Sequence, residues 1–240
     1  MHSMEFVNRK SERGFTLVEL AIVMIIIGLL IGGILKGQEL IANAQIAATV
    51  AQVKAIDGAT TTFRDKYDAL PGDMATAVTG ATARLANCTG CTNGDGNGRL
   101  SSAPTAAPLV EGQNFFRMLS AADLIGGIKN DGSAGWGNIY PEAKIAGGFQ
   151  PGYSNGVTFG LNGAPPAGHY LAIVQTAQTA PAGSALNPNE AFRIDTKLDD
   201  GVGSTGSVFA NAVTNCATAG GIYDQDNAVE GCDIYIRFQN

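Results

Sequence analysis

The chain is short of the residues from which most active sites are built. It has two histidines, His2 and His169, which excludes a histidine-rich metal centre. His169 is followed by Tyr170-Leu171-Ala172 and reads as an edge or packing residue of a strand rather than a general base. No G-x-S-x-G elbow, P-loop or dinucleotide fingerprint occurs. Positive charge is also scarce, with 15 basic residues against 21 acidic and a net charge of −6. The first 14 residues set Arg9, Lys10 and Arg13 against Glu5 and Glu12, so the remainder carries −7. That balance argues against a nucleic-acid groove built on a basic surface. There is no internal repeat, and 32 glycines in 240 residues point to a loop-rich domain. The most telling absence is local: from Leu20 to Leu35 no residue is charged.

That run begins earlier, at Phe15, and Lys36 closes it. Its 21 residues make about 32 Å of helix, enough to cross a hydrocarbon core of about 30 Å. One carboxylate, Glu19, sits inside it, and a charge at membrane depth marks a functional residue whose partner must be found. The basic residues before the run place that end on the cytoplasmic side. A secretory signal loses its apolar stretch at a small-residue site beyond it. Here the small residue, Gly14, comes before the stretch. A cut after Gly14 would keep the helix and free an α-amine on Phe15, four residues from Glu19.

Gly14-Phe15-Thr16-Leu17-Val18-Glu19 resembles the cleavage and methylation motif of type IV prepilins and type II secretion pseudopilins. The resemblance covers residues 9 to 40. It implies that a prepilin peptidase cuts between Gly14 and Phe15 and methylates Phe15, and that Glu19 neutralises the N-terminal amine of a neighbouring subunit. An α-amine titrating near about 8 and a Glu near about 4.3 are both charged at neutral pH. Each is unfavourable alone in an apolar core, and less so when they meet. Because Phe15 and Glu19 are i and i+4, a contact within one helix is equally open. An ordinary signal anchor with an incidental glutamate is the competing reading.

Many relatives in that family carry a proline where this chain has Lys36. Around it stand Gly28, Gly32, Gly33 and Gly37, each weakening a helix by about 1 kcal/mol relative to Ala. They fit either a loosened, closely packed bundle segment or the ordinary abundance of small residues in membrane helices. Beyond Lys36 the pattern becomes amphipathic, with Leu40, Ala44, Ala47, Ala51 and Ala55 expected on the packed face beside Ile41, Ala48 and Ile56. It reaches Phe63 and Tyr67 and ends at Leu70-Pro71-Gly72. The division expected is a leader at 1–14, a transmembrane and filament-core helix at 15–35, its amphipathic half at 36–70, and an exported head at 71–240.

In the head, Glu111 to Ile125 reads as a helix stopped by Gly126-Gly127. Asn187-Pro188-Asn189-Glu190 opens another, with an N-cap, a first-turn proline and Glu at N3, running to about Leu198. Strands are expected at 157–159, from His169 to Gln175, and from Asp233 to Phe238. The fold class is α+β: a long N-terminal helix, half transmembrane and half amphipathic, against a loop-rich globular domain with an antiparallel sheet, as in pilins. Segments 191–201 and Leu70-Pro71-Gly72-Asp73 resemble stretches of large pilin-like proteins, with no activity attached.

Four cysteines form two local pairs, Cys88/Cys91 and Cys216/Cys232. Three connectivities exist, and local pairing is the preferred one. The Cys216–Cys232 loop resembles the C-terminal disulfide loop of many pilins. Cys88-Thr89-Gly90-Cys91 reads as a structural disulfide, with a redox motif as the alternative. Asn93-x-Asp95-x-Asn97-Gly98 matches the first half of a calcium loop. Its twelfth position is Pro104, so a calcium ion there needs a carboxylate from elsewhere, such as Glu111. Further acidic groups are Asp224, Asp226, Glu230 and Asp233, and Asp195, Asp199 and Asp200. No cofactor is required.

The sequence thus implies a non-enzymatic filament subunit, held in the bacterial inner membrane as a precursor and then part of a periplasmic or extracellular filament. Its implied partners are the prepilin peptidase, an inner-membrane assembly platform, membrane lipid, and identical or related subunits. The alternatives are a type II secretion pseudopilin, a minor pilin with an adhesive or ligand-binding head, and an unprocessed membrane-anchored binding protein.

Overall fold

One helix, α1, spans Leu17–Tyr67, 51 residues without a break. The computed structural model describes residues 14–77, 83–104, 106, 109–129, 135–156, 165–177, 185–211, 215–218 and 220–239. The strand expected at 157–159 and the basic residues Arg9, Lys10 and Arg13 lie outside these. The chain divides into two compact units inside α1, Met1–Asn43 and Ala44–Asn240.

In the first unit every residue from Phe15 to Leu35 is exposed. Exposed apolar side chains in such a run have no counterpart on a water-soluble surface. By length and composition this helix suffices to cross a membrane. A Cβ placed on Gly28, Gly32, Gly33 or Gly37 would meet nothing within 4 Å.

In the second unit α1 buries Ile46, Val50, Val53, Ile56, Ala59, Phe63 and Tyr67. Ile56, Phe63 and Tyr67 are buried as expected, but the rest of the expected face is corrected: Leu40, Ala44, Ala47, Ala51 and Ala55 are exposed. Both stripes repeat every three to four residues, but the branched and aromatic one removes far more apolar area from water per turn. Two polar residues on α1 also hold the head. The Thr49 hydroxyl accepts from the Ile145 amide at 3.1 Å. The Gln52 amide donates to the Glu142 carbonyl at 2.9 Å and accepts from the Lys144 amide at 3.0 Å. The helix stops where Asp68 turns left-handed, at φ 49°. Arg84 donates to the freed carbonyls of Tyr67 and Lys66.

Helix α2, Val110–Ala121, buries Phe115, Phe116, Met118 and Leu119. It ends four residues before the position expected from Gly126-Gly127. Asp123 takes the left-handed C′ position, at φ 58°, and the Leu124 amide returns to the Leu119 carbonyl at 3.0 Å. A Schellman turn therefore forms without glycine. Helix α3, Pro188–Leu198, opens with the capping box read from the sequence: Asn187 and Glu190 exchange backbone and side-chain hydrogen bonds, both 3.0 Å.

The sheet contains β1 (Gly148–Ser154), β2 (Gly168–Val174), β3 (Val208–Ala210) and β4 (Ile234–Gln239), in the order β1-β2-β4-β3. Every pairing is antiparallel. All seven residues of β2 are buried, so both faces of the sheet are covered. Leu171 and Ile173 join the core containing α1 and α2, while Tyr170, Ala172 and Val174 pack with Phe209 and Tyr235. His169 is a packing residue as expected, but on an inner strand rather than an edge.

Candidate functional site

The start of α1 is built from Thr16 and Glu19. The Glu19 amide donates to the Thr16 hydroxyl oxygen at 3.2 Å. One Glu19 carboxylate oxygen accepts from the Thr16 amide at 2.9 Å and from its hydroxyl at 2.8 Å. This is a capping box, with Thr16 as N-cap and Glu19 at N3, and it satisfies donors that a helix start leaves orphaned. It also gives the Glu19 carboxylate two local donors short of any second subunit. Thr16 was not singled out in the sequence, although Thr-x-x-Glu before an apolar run is the signature of this motif. Gly14 stands in open space, and Phe15 is 90% exposed.

In the head, the half calcium loop meets an acid from another segment. Asp73, Asp95 and Glu111 each place one oxygen so that the three lie within 4.8 Å of one another. Glu111 is the carboxylate expected from elsewhere, and Asp73 joins it. Asp73 accepts from the amides of Gly96 (2.8 Å), Asn97 (3.3 Å) and Gly98 (2.6 Å). Glu111 accepts from Asp95 N at 3.1 Å and Ser101 N at 2.7 Å. Asp95 accepts from the amide and side chain of Asn97, at 3.0 and 2.7 Å. Every oxygen of the three carboxylates therefore takes a hydrogen bond, and the acids tie residues 95–101 to the start of the head. Asn97 turns its own oxygen to the Arg99 amide at 2.8 Å. Burial raises the Asp73 carboxyl above the ordinary range, the Gly98 amide opposing it. Approach is close enough to require glycine at Gly72. Its φ is 89°, and a Cβ there would sit 2.3 Å from the Glu111 carbonyl oxygen.

A second clamp surrounds Asp195, Asp199 and Asp200, whose oxygens also approach within 4.8 Å. Asp195 is fully buried. It accepts from Tyr223 OH at 2.8 Å and Gly201 N at 3.2 Å. Burial pushes its carboxyl up to about 6, the hydrogen bonds from Tyr223 and Gly201 opposing the shift. Burial and the facing Asp195 raise the Tyr223 phenol. Asp199 accepts from Ser207 N, and Asp200 from Val202 N at 2.8 Å and Thr205 Oγ1 at 2.6 Å. Of the remaining acids, Asp233 is buried and accepts from Asn211 at 3.2 Å; Asp224 and Asp226 are exposed.

Cys88 is bonded to Cys91 and Cys216 to Cys232. Arg117 on α2 donates to the Gly90 carbonyl between the first pair at 2.7 Å. Residues 91–97 form no helix, so the helix N-terminus that activates a Cys-x-x-Cys thiol does not follow this one. The second pair closes the loop carrying Tyr223 and is fully buried.

Residues 9–35 match the family model for the prokaryotic N-terminal methylation motif. No curated protein matches the chain. Among solved structures, the major type IV pilin PilA1 from Clostridium difficile is similar at 9% identity and a TM-score of 0.36, covering 83% of this chain and 98% of its own.

Proposed function

We propose, from an N-terminal segment that belongs to the type IV pilin and pseudopilin family, that this chain is the structural subunit of a type IV pilus-like filament. The observation that carries the proposal is the exposed apolar stretch of α1 with the single acid Glu19 one turn from Gly14-Phe15. The prepilin peptidase removes residues 1–14 and methylates Phe15. The helix holds the processed subunit in the inner membrane, and the assembly platform then moves it into a bundle of identical or related helices. In that bundle lipid is exchanged for neighbouring helices, so apolar contact is conserved. The charges on Phe15 and Glu19 then set which axial position a subunit can occupy. The function is assembly rather than catalysis. Type II secretion pseudopilins share this chemistry, and abundant sheared surface filaments of this polypeptide distinguish the pilus reading from them.

The test is co-expression with and without a prepilin peptidase. The proposal expects a shift to the mobility of residues 15–240 with the enzyme, blocked when Gly14 is changed to a bulky residue. An unshifted chain in both strains contradicts it.

A further inference from the structure

The Cys88–Cys91 disulfide lies against α2, apart from the processing and assembly segment. Its surroundings hold residues 87–92 in place from outside the covalent ring. Arg117 donates to the Gly90 carbonyl at 2.7 Å. The Asn114 side chain donates to the carbonyl and hydroxyl of Thr92 at 3.0 and 2.9 Å, and Asn87 donates to the Ala121 carbonyl at 3.1 Å. These bonds tie both flanks to α2 whether or not the sulfurs are joined. Joining residues only three apart also removes less chain entropy than closing a long loop. The segment therefore keeps its place when the bond opens, with the two Cα atoms 5.5 Å apart.

Arg117 is a cation at a 9% exposed position. No ion pair among the described residues includes it. Its Nε is shut off from solvent and has no hydrogen-bond partner there, which is exceptional for a buried polar group. A partner must then come from inside the protein. A Cβ on Gly90 would sit 3.6 Å from the guanidinium carbon, so the cation lies against the middle of the four-residue ring. Tyr140, the ionisable group that acts on it, is a phenol and ionises only near about 10. A cysteine thiol ionises near about 8.5, and a neighbouring Arg lowers that. The anion that fits this cation is a thiolate released as the ring opens. The two sulfurs differ in access, since Cys91 is partly exposed and Cys88 is buried. Cys216 and Cys232 are both fully buried.

We infer that Cys88–Cys91 is an exchangeable disulfide, opened by dithiols through attack on Cys91, with Arg117 stabilising the Cys88 thiolate that leaves. A thiolate of the dithiol bonds to Cys91 Sγ as the Cys88–Cys91 bond breaks, and the electron pair of that bond goes to Cys88. The second thiol of the same molecule loses its proton and attacks its partner sulfur in the mixed disulfide. That step releases Cys91, which takes up a proton. The dithiol ends as a disulfide, and the protein has gained two electrons. A side chain of α2 thus does what a helix N-terminus does for other Cys-x-x-Cys pairs. The site is independent of how the subunit is processed or assembled.

The test uses full chain in detergent micelles, equilibrated without oxygen in glutathione redox buffers, with opening by dithiothreitol timed in parallel. Thiols are trapped by alkylation, and each pair is read by peptide mass spectrometry. Cys88–Cys91 is expected to open within minutes at millimolar dithiothreitol, while Cys216–Cys232 stays closed until denaturant is added. Arg117→Gln keeps a donor for the Gly90 carbonyl and removes the charge. It is expected to lower the equilibrium constant for reduction at least about tenfold, or about 30 mV, and to slow opening. Arg117→Lys keeps the charge and retains most of the wild-type potential. A merely structural role for Arg117 gives the opposite sign, because a loosened segment opens more easily. The closed Cys216–Cys232 pair reports that each variant is folded; if Arg117→Gln opens both pairs, the wild-type contrast and Arg117→Lys decide. A native Cys88–Cys91 bond that resists dithiothreitol as Cys216–Cys232 does overturns the inference. So does an unchanged equilibrium in folded Arg117→Gln, or an Arg117→Lys potential well below wild type.

Discussion

The Thr16 amide and hydroxyl both donate to one Glu19 carboxylate oxygen, at 2.9 and 2.8 Å. Glu19 is therefore satisfied within its own helix. Assembly that pairs it with a Phe15 amine on another subunit must offer more than this capping box does. Glu19→Ala is expected to leave membrane insertion intact, because an apolar run becomes more apolar, and to remove filaments from the sheared fraction. Thr16→Ala removes a cap, at about 1 kcal/mol, and is expected to reduce filaments without abolishing them. Immunoblots of sheared and membrane fractions distinguish the two.

The Asp73 clamp predicts unequal effects of neighbouring acids. Asp73→Ala strips the acceptor from three loop amides beside a 2% exposed position. At about 1–3 kcal/mol for each buried donor left unpaired, partly relieved by water, it is expected to lower unfolding free energy by about 3 kcal/mol. Asp95 is exposed, and Asp95→Ala is expected to lower it by less than about 1 kcal/mol. Urea unfolding of the full chain measures both. Because loop amides already occupy the carboxylate oxygens, chelation of divalent cations is expected to leave the wild-type midpoint unchanged.

Asp195 gives a pH dependence of defined sign. Its carboxyl is raised to about 6 when folded, against about 3.9 in an unfolded chain. The folded state therefore holds this proton more tightly. Its stabilising contribution is fully present below about pH 4 and is lost as pH rises through about 6. The change amounts to about 3 kcal/mol at most. Asp195→Asn keeps the shape and removes the titration. Subtracting its unfolding curve from wild type across pH 4 to 7 should leave this one slope, and parallel curves would contradict the assignment.

Removing the two disulfides is expected to matter unequally. In the loop-entropy account, Cys216 with Cys232, separated by 16 residues, contributes about 3 kcal/mol, and Cys88 with Cys91, separated by 3, about 2 kcal/mol. Cys216 and Cys232 are both fully buried, so paired alanine substitution there should also expose Tyr223. Chemical denaturation of the two double variants checks the ranking.

Much of the head was legible because its local rules agree with its fold. Asn187-Pro188-Asn189-Glu190 specified the start of α3, and the alternation in β4 matched its strand. The buried run from His169 specified β2 but not its inner place in the sheet. β1 was not legible: Pro151 and two glycines in Gly148–Ser154 are poor strand formers, tolerated because β1 lies at the sheet edge. β3 has three residues, too few to show a period. The face of α1 was misplaced before Ile56 because alanines and branched residues repeat with the same spacing, and only burial in a formed core separates them. Asp73 could not be joined to Glu111 from sequence, since their contact depends on how Gly72 lets two distant segments approach.

The central claim is that Phe15 is the amino terminus of an assembled subunit. Intact mass and N-terminal peptide spectrometry of filaments sheared from the cell surface tests it most directly. The account predicts a chain beginning at N-methylated Phe15 and lacking residues 1–14. A chain retaining Met1, or an uncut Gly14–Phe15 bond, would contradict it.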